Sequence, residues 1–264
     1  MQNETGGLRD DALLKLLKVA SLGIVVSYGA LLLPPDWVQF LAGREMVFEA
    51  LGSAFFLLSS ILFVRAWRAV PGSVDGRSAA GEARSRARWR RIAYALLALL
   101  LFVACGEELS WGQHWLGFET PDAIKQINAQ DEVNLHNLWL LDSYDQDGGK
   151  KRGWQALLLN SNRLFDYFMV TLLWLLPWAH RLVPFLGGLI DRFGGPVVPR
   201  LLGLPLLLTF AATGLAETFL VDGMLSHLAV SEIREMTYAV LTALAAWSLW
   251  RQEGSAAEPS SNGA

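Results

Sequence analysis

The sequence predicts an all-α protein: a polytopic transmembrane helix bundle of about six spans, with both termini inside and one long outer loop packed on the bundle. Two observations predict it. The 264 residues are 53% hydrophobic and only 18% charged, and the apolar residues come in long runs with little charge, as lipid-spanning helices do. The Lys and Arg residues between those runs are lopsided, which gives the bundle a definite orientation. A single cysteine, Cys105, excludes an internal disulfide and reads as a small packing residue within an apolar run.

The spans run near 14–33, 46–65, 91–107, 164–180, 198–219 and 233–250, each on the order of the ~20 residues a bilayer needs. The opening "MQNETGGLRDD" lacks the basic region of a cleaved signal peptide, so the first run is expected to stay as a helix. The segment 65–91 carries Arg65, Arg68, Arg77, Arg84, Arg86, Arg88, Arg90 and Arg91, which places it in the cytoplasm. On that topology the inner side holds 15 Lys/Arg and 8 Asp/Glu, and the outer side 7 and 17. Trp37, Trp111 and Trp115 then fall at outer ends and Trp67, Trp178, Trp247 and Trp250 at inner ends, as interface anchors do. The stretch "HRLVPFLGGLIDRFGGP", 180 to 196, reads as an interfacial segment, broken by its Gly-Gly and Pro signals.

These features fit a multi-pass protein of a bacterial inner membrane. Residues 1–251 form one membrane-embedded domain, and 252–264, small, polar and Pro-containing, form a disordered cytoplasmic tail. The expected partners are membrane lipids, with the arginines on anionic headgroups. Nucleic acid is not an expected partner, because no aromatics are interleaved with the basic run.

The acids gather at the outer ends of the spans: Glu49, Glu107, Glu108, Asp166, Glu217, Asp222, Glu232 and Glu235. Glu107 and Glu217 stand out, because apolar residues immediately precede them; Glu232 and Asp222 read as solvated rim acids. Carboxylates converging on one volume repel unless a cation, a shared proton or a basic partner relieves them.

The stretch "GEELSWGQHWLGFETP", 106 to 121, follows directly on an apolar run. Glu107, Ser110, Trp111 and His114 share one face if the third helix continues past the hydrocarbon, with Glu108 and Trp115 on an adjacent face. "FETP" ends that helix, and Thr120 would cap the next with Pro121 at its first position. A second polar block, "QINAQDEVNLHNL" at 126 to 138, puts Glu132 and His136 at i, i+4, where a helix would let both bind one ion. Its Asn128, Gln130, Asn134 and Asn137, with Gln113, read as members of a hydrogen-bond network. Further on, "DSYDQDGGKKRG" reads as a mobile surface turn of the long outer loop, 108–163.

The catalytic candidates are therefore Glu107, Glu108, Ser110, His114 and His136. The candidate ligands for a divalent metal such as zinc are Glu107, His114, Glu132 and His136, with Glu217 a further polar-site residue. Neither HExxH, CxxC nor HxxxH spacing marks zinc, and Ser110 with His114 lacks both the G-x-S-x-G elbow and an orienting third group. His227 reads as a surface group and His180 as an inner interface residue.

"GEELSWGQ", "FETP" and "NAQDEVNLHNL" resemble the signature of a family of uncharacterised polytopic bacterial membrane proteins, GEExSWGQ, then ETP, then N-x-Q-x-E-x-NLHN. The resemblance is close over 106 to 138 and elsewhere lies in hydropathy. It implies a membrane bundle and no particular reaction. The glutamate pair also resembles the EExxxR of CAAX-type intramembrane proteases, but Gly112 stands where the Arg would be and no FxxxH block follows. The His, Asp, Glu and Ser set is similar to that of alkaline ceramidases, whose HxxxH is absent here.

Three functions compete. One is a membrane-embedded hydrolase or transferase acting on a lipid or lipid-linked substrate at the outer face, with Glu107 or Glu108 as base or ligand. Another is a non-catalytic binding or assembly protein whose polar block is a structural knot. A transporter ranks last, because the inner halves of the spans lack a matching row of ionisable residues and no inverted repeat is evident.

Overall fold

The computed structural model describes residues 2–43, 46–71, 80–221 and 224–257; Arg77, Asp222 and the tail beyond 257 lie outside them, as does the side chain of His114. The described residues contain no strand, only two isolated β-bridges. The long helices are α1 (Gln2–Gly29), α3 (Val47–Ala69), α4 (Ala80–Glu108), α11 (Gly203–Phe219) and α12 (Met224–Ala257). Short helices join them: α2 (Pro35–Ala42), α5 (Gln113–Leu116), α6 (Asp122–Lys125), α7 (Gly153–Leu158), α8 (Ser161–Val170), α9 (Leu176–Leu182) and α10 (Pro184–Arg192).

Among the described residues, four segments are long and apolar enough to cross a membrane: Asp11–Leu32, Pro35–Ala69, Gly81–Glu108 and Arg200–Phe219. A fifth is Ser161–Leu182 taken together with Pro184–Arg192, a pair bent by 111°. The bend follows from Pro184, which forces Val183 out of helical geometry (φ −117°, ψ 94°). Large apolar side chains line the outside of these helices, among them Val19, Leu22 and Val26 on α1, Leu96, Leu99 and Phe102 on α4, and Leu204 and Leu215 on α11. An exposed apolar coat of this extent is consistent with a membrane protein.

The expected sixth span, 233–250, is not among the membrane-capable segments. It belongs to α12, a 34-residue helix about 50 Å long that packs along α3 and also meets α1, α2 and α11. Ile233, Tyr238, Ala239, Leu241, Ala245, Ala246 and Leu249 are all buried. A helix enclosed by other helices meets little lipid, so its sequence can carry polar residues that a lipid-facing span would not. The close approach uses small residues. Gly52 of α3 lies where a Cβ would stand 3.5 Å from the Met236 backbone, Ser59 Oγ is 3.1 Å from Thr242 Oγ1, and Ser60 donates to the Ala98 carbonyl at 2.8 Å.

The arginine-rich segment is largely helical. Arg84 to Arg91 lie on the first turns of α4 rather than in a loop. The region expected to be a disordered tail is also partly helix, since α12 continues to Ala257. Glu253 is buried there and accepts hydrogen bonds from Tyr94 Oη at 2.8 Å and Arg90 Nη1 at 3.3 Å. These partners explain why the polar sequence after Arg251 stays ordered. Residues 142–153 are likewise more organised than a mobile turn: Tyr144 and Lys150 form a β-bridge, and Lys151 Nζ donates to the carbonyls of Trp139, Leu140 and Asp142.

Candidate functional site

The helix α4 ends at Glu108, and the chain then makes three successive left-handed residues: Ser110 (φ 43°), Trp111 (φ 54°) and Gly112 (φ 80°). Two of the three are not glycine, a conformation that costs roughly 1–2 kcal/mol each. The expected continuous stripe from Glu107 to His114 is therefore absent, because the backbone turns away between its members. Trp111 folds back on α4 instead. Its Nε1 donates to Glu107 Oε1 at 2.9 Å, and its ring lies where a Cβ on Gly106 would come within 2.8 Å. Gly106 is thus the one residue that lets this ring lie down.

Glu107 is a buried anchor, 8% exposed. Its other oxygen, Oε2, accepts the backbone N–H groups of Leu135 and His136, and His136 Nδ1 stands 3.6 Å from it, an ion-pair distance. The Glu132 carboxylate is a second anchor. Its Oε2 accepts from Ser110 Oγ at 2.8 Å, Asn134 Nδ2 at 2.7 Å and Asn137 Nδ2 at 3.4 Å. Asn134 also donates to Ser110 Oγ, and Asn128 donates to Asn134 while accepting from the Gln130 and Glu132 N–H groups. Gln113 accepts from Val133 N–H and donates to Thr120, whose hydroxyl donates to the Asp131 carbonyl. Buried amides and hydroxyls satisfy one another, so the block is a rigid polar knot.

Three expectations change here. Residues 126–138 are not helical, so Glu132 and His136 do not share a helix face; an Asn128–Leu138 bridge and turns shape the segment. Thr120 makes no cap, and Pro121 precedes α6 rather than opening it, because the Thr120 hydroxyl is committed to Gln113 and Asp131. Ser110 is buried, and its hydroxyl donates to Glu132 rather than pairing with His114 on one helix face, so it is built into the knot.

Beside the knot lies a cavity of about 140 Å³. Gln130, Glu132, His136 and Asn137 form its loop wall, and Glu49 of α3, Glu108 of α4, and Ser231, Glu232 and Glu235 of α12 form its helix wall. One carboxylate oxygen each from Glu108, Glu232 and Glu235 lies within 4.8 Å of the others, and all three side chains are half-buried. Ser231 Oγ donates to Glu235 at 2.9 Å. Burial disfavours the His136 imidazolium, yet Glu107 beside it, together with Glu235 and Glu132, outweighs burial and holds its pKa above the ordinary histidine value.

The candidate residues thus divide. Glu108, Gln130, Glu132, His136 and Asn137 line the cavity; Glu107, Ser110, Gln113, Asn128 and Asn134 build the wall behind it. His114 lies on α5. Glu217 is exposed and lines a neighbouring groove, together with His227. The residues not foreseen are Glu232 and Glu235 as partners of Glu108. Their signal in the sequence was the S-E-x-x-E run at the start of the last apolar stretch, where i, i+3 spacing puts two acids on one helix face.

No known protein family, curated protein or solved structure matches the chain. Residues 106–138 and the cavity beside them therefore carry the functional reading on their own.

Proposed function

We propose that the protein is a membrane-embedded, divalent-metal-dependent hydrolase or transferase that acts on a lipid or lipid-linked substrate at the outer face of a bacterial inner membrane. The observation that carries the reading is the meeting of Glu108, Glu232 and Glu235 within 4.8 Å in a cavity at the loop end of the bundle. Carboxylates so close repel unless a cation, a shared proton or a basic partner relieves them, and here we assign that part to a cation. An all-oxygen trio suits a hard ion, Mg²⁺ or Mn²⁺, better than the zinc expected from the histidines. The ion would polarise a substrate oxygen or activate water. His136, held toward its protonated form, would give a proton to the leaving group. The outer placement is supported by the arginines at the opposite end of α4.

Elemental analysis of the purified full-length protein, equilibrated with Mn²⁺ and desalted, tests this. Wild type should hold stoichiometric metal, Glu108→Gln and Glu235→Gln should lose it while folded, and Glu217→Gln should keep it. Metal retained in both folded cavity variants would overturn the ligand assignment.

A second reading is favoured by the saturation of Glu107 and Glu132. Here the knot serves only to hold the loop on the bundle of a non-catalytic binding or assembly protein. Wild type without metal would put this reading first.

A further inference from the structure

The acidic cavity has a neighbour of opposite character. A groove of about 1310 Å³ runs between α8, α11, α12 and the 143–151 hairpin, and it shares Ser143, Asn162 and Ser231 with the cavity lining. Among the described residues, the cavity lining includes no Lys or Arg. Among the described residues, the groove lining includes Lys150, Lys151, Arg163 and Arg234, with the acids Asp166 and Glu217.

Arg234 sits at the junction. It lines the groove, and both Glu235 of the cavity and Asp166 are charge neighbours. Asp166 is buried and accepts from Tyr238 Oη at 2.7 Å. Arg234 Nε is buried and has no hydrogen-bond partner among the described residues. A buried donor left without an acceptor is costly, and the guanidinium charge of Arg234, which lines the groove, favours an anionic group there.

The groove also has an apolar side. Leu157, Phe210, Val221 and Val230 line it. Next to it, α7 exposes Trp154, Leu157 and Leu158, an aromatic and apolar face of the kind that rests at a membrane interface. Two of the groove's walls, α8 and α11, belong to membrane-capable segments. A ligand that reaches the basic side chains from the bilayer must itself be amphiphilic.

We propose that this groove binds the phosphate-bearing headgroup of an anionic lipid and presents it to the carboxylate cavity next door. The proposal rests on the enzyme reading above and names its substrate class: a phosphate ester or diphosphate on an apolar tail. A metal on the Glu108, Glu232 and Glu235 side and a guanidinium on the other would grip the phosphate from two sides, an arrangement suited to phosphoryl oxygens. Arg234 and Arg163 supply charge and donors, while Lys151, already on three carbonyls, supplies charge alone.

The test is a calorimetric titration of the detergent-solubilised full-length protein with three probes, in EDTA and in Mn²⁺: dihexanoyl phosphatidic acid, dihexanoylglycerol and inorganic phosphate. Phosphatidic acid should bind at least about tenfold more tightly than either other probe. Arg234→Gln should lose about tenfold of that affinity, and so should Lys150→Gln/Arg163→Gln, whose exposed side chains leave the bundle intact. Equal binding of dihexanoylglycerol, or unchanged affinity in Lys150→Gln/Arg163→Gln, overturns the proposal. Equal binding of inorganic phosphate overturns the lipid source. The EDTA arm separates the two readings: phosphatidic acid binding that survives EDTA and Glu235→Gln keeps the groove even if the metal reading fails. Metal retention in a protein blind to the phosphate removes the groove and leaves the metal site.

Discussion

Glu107 holds His136 twice, through the backbone N–H at 3.0 Å and through the imidazole Nδ1 at 3.6 Å, so one carboxylate of α4 fixes both the path of the loop and the charge of the cavity wall. Glu107→Gln replaces one acceptor oxygen by an NH₂ that must face N–H donors. Stability should fall by about 1–3 kcal/mol, the cost of leaving buried donors unmet. Limited proteolysis should show cleavage between residues 109 and 160 before the helices are cut. A Glu107→Gln loop as resistant as wild type would mean that the anchor is dispensable.

Gly106 and Trp111 should behave as a unit. Gly106→Ala puts a methyl group 2.8 Å from the indole ring, which displaces the ring and breaks its bond to Glu107. The expected cost is about 1–3 kcal/mol. It should shrink in a Trp111→Ala background, and a double-mutant cycle in thermal unfolding reads the coupling. Full additivity would place the cost of Gly106→Ala elsewhere.

The loop's hold should depend on pH through His136. Its pKa is raised on folding, so its stabilising contribution is complete below the unfolded value, near 6.5, and is lost as pH rises through the folded value. Hydrogen exchange of the Leu135 and His136 amides should be better protected at pH 6 than at pH 8 after correction for intrinsic rates, and His136→Gln should flatten the difference. A steeper dependence in the variant would reverse the sign argued here.

Removing charge from the trio should stabilise the metal-free protein. In EDTA, Glu108→Gln should unfold at a higher temperature than wild type, its stability raised by up to about 3 kcal/mol for one like-charge pair at an effective dielectric near 20, because its charge neighbours are the acids Glu235, Glu232, Glu49 and Glu107. In Mn²⁺ the order should invert, because only wild type gains binding energy. Identical ranking in both buffers would argue against a shared cation.

The last turns of α12 should matter as much as any loop. A chain stopped after Arg251 loses Glu253, leaving Tyr94 Oη and Arg90 without their acceptor. The expected loss is about 2–4 kcal/mol. Glu253→Ala should reproduce most of it, and a melting temperature unchanged in both would make this contact idle.

The bundle was legible in the sequence because long apolar runs have few other uses, and five of the six runs map onto membrane-capable segments once the bent pair is counted as one. The sixth, on α12, was read by apolarity alone, whereas its enclosure by neighbours is a tertiary fact. The polar knot was legible as composition: Gln113, Asn128, Asn134 and Asn137 do hydrogen-bond within one block. Its shape was not. Trp111 bonds Glu107 as an i, i+4 pair would, yet the backbone between them leaves the helix, and spacing alone cannot distinguish the two. The weighting of the acids is matched by burial at Glu107 and not at exposed Glu217 or at Glu232, which is half-buried among carboxylates. Glu107 followed apolar residues because it is a buried anchor, while Glu232 looked solvated because sequence does not show which helix stands opposite.

The enclosure of α12 also bears on how the molecule is made. This helix follows all the others in the chain, lacks the membrane-capable apolar window that α1, α3, α4 and α11 contain, and carries Arg234 and Glu235 among its residues. It is poorly suited to enter lipid alone and well suited to enter a slot that α1, α3 and α11 have already formed. Until it arrives, Glu49 and Glu108 face a half-built chamber without Glu232 and Glu235. A nascent chain thus lacks the closed carboxylate cavity, and the cavity forms only when the last helix joins the bundle.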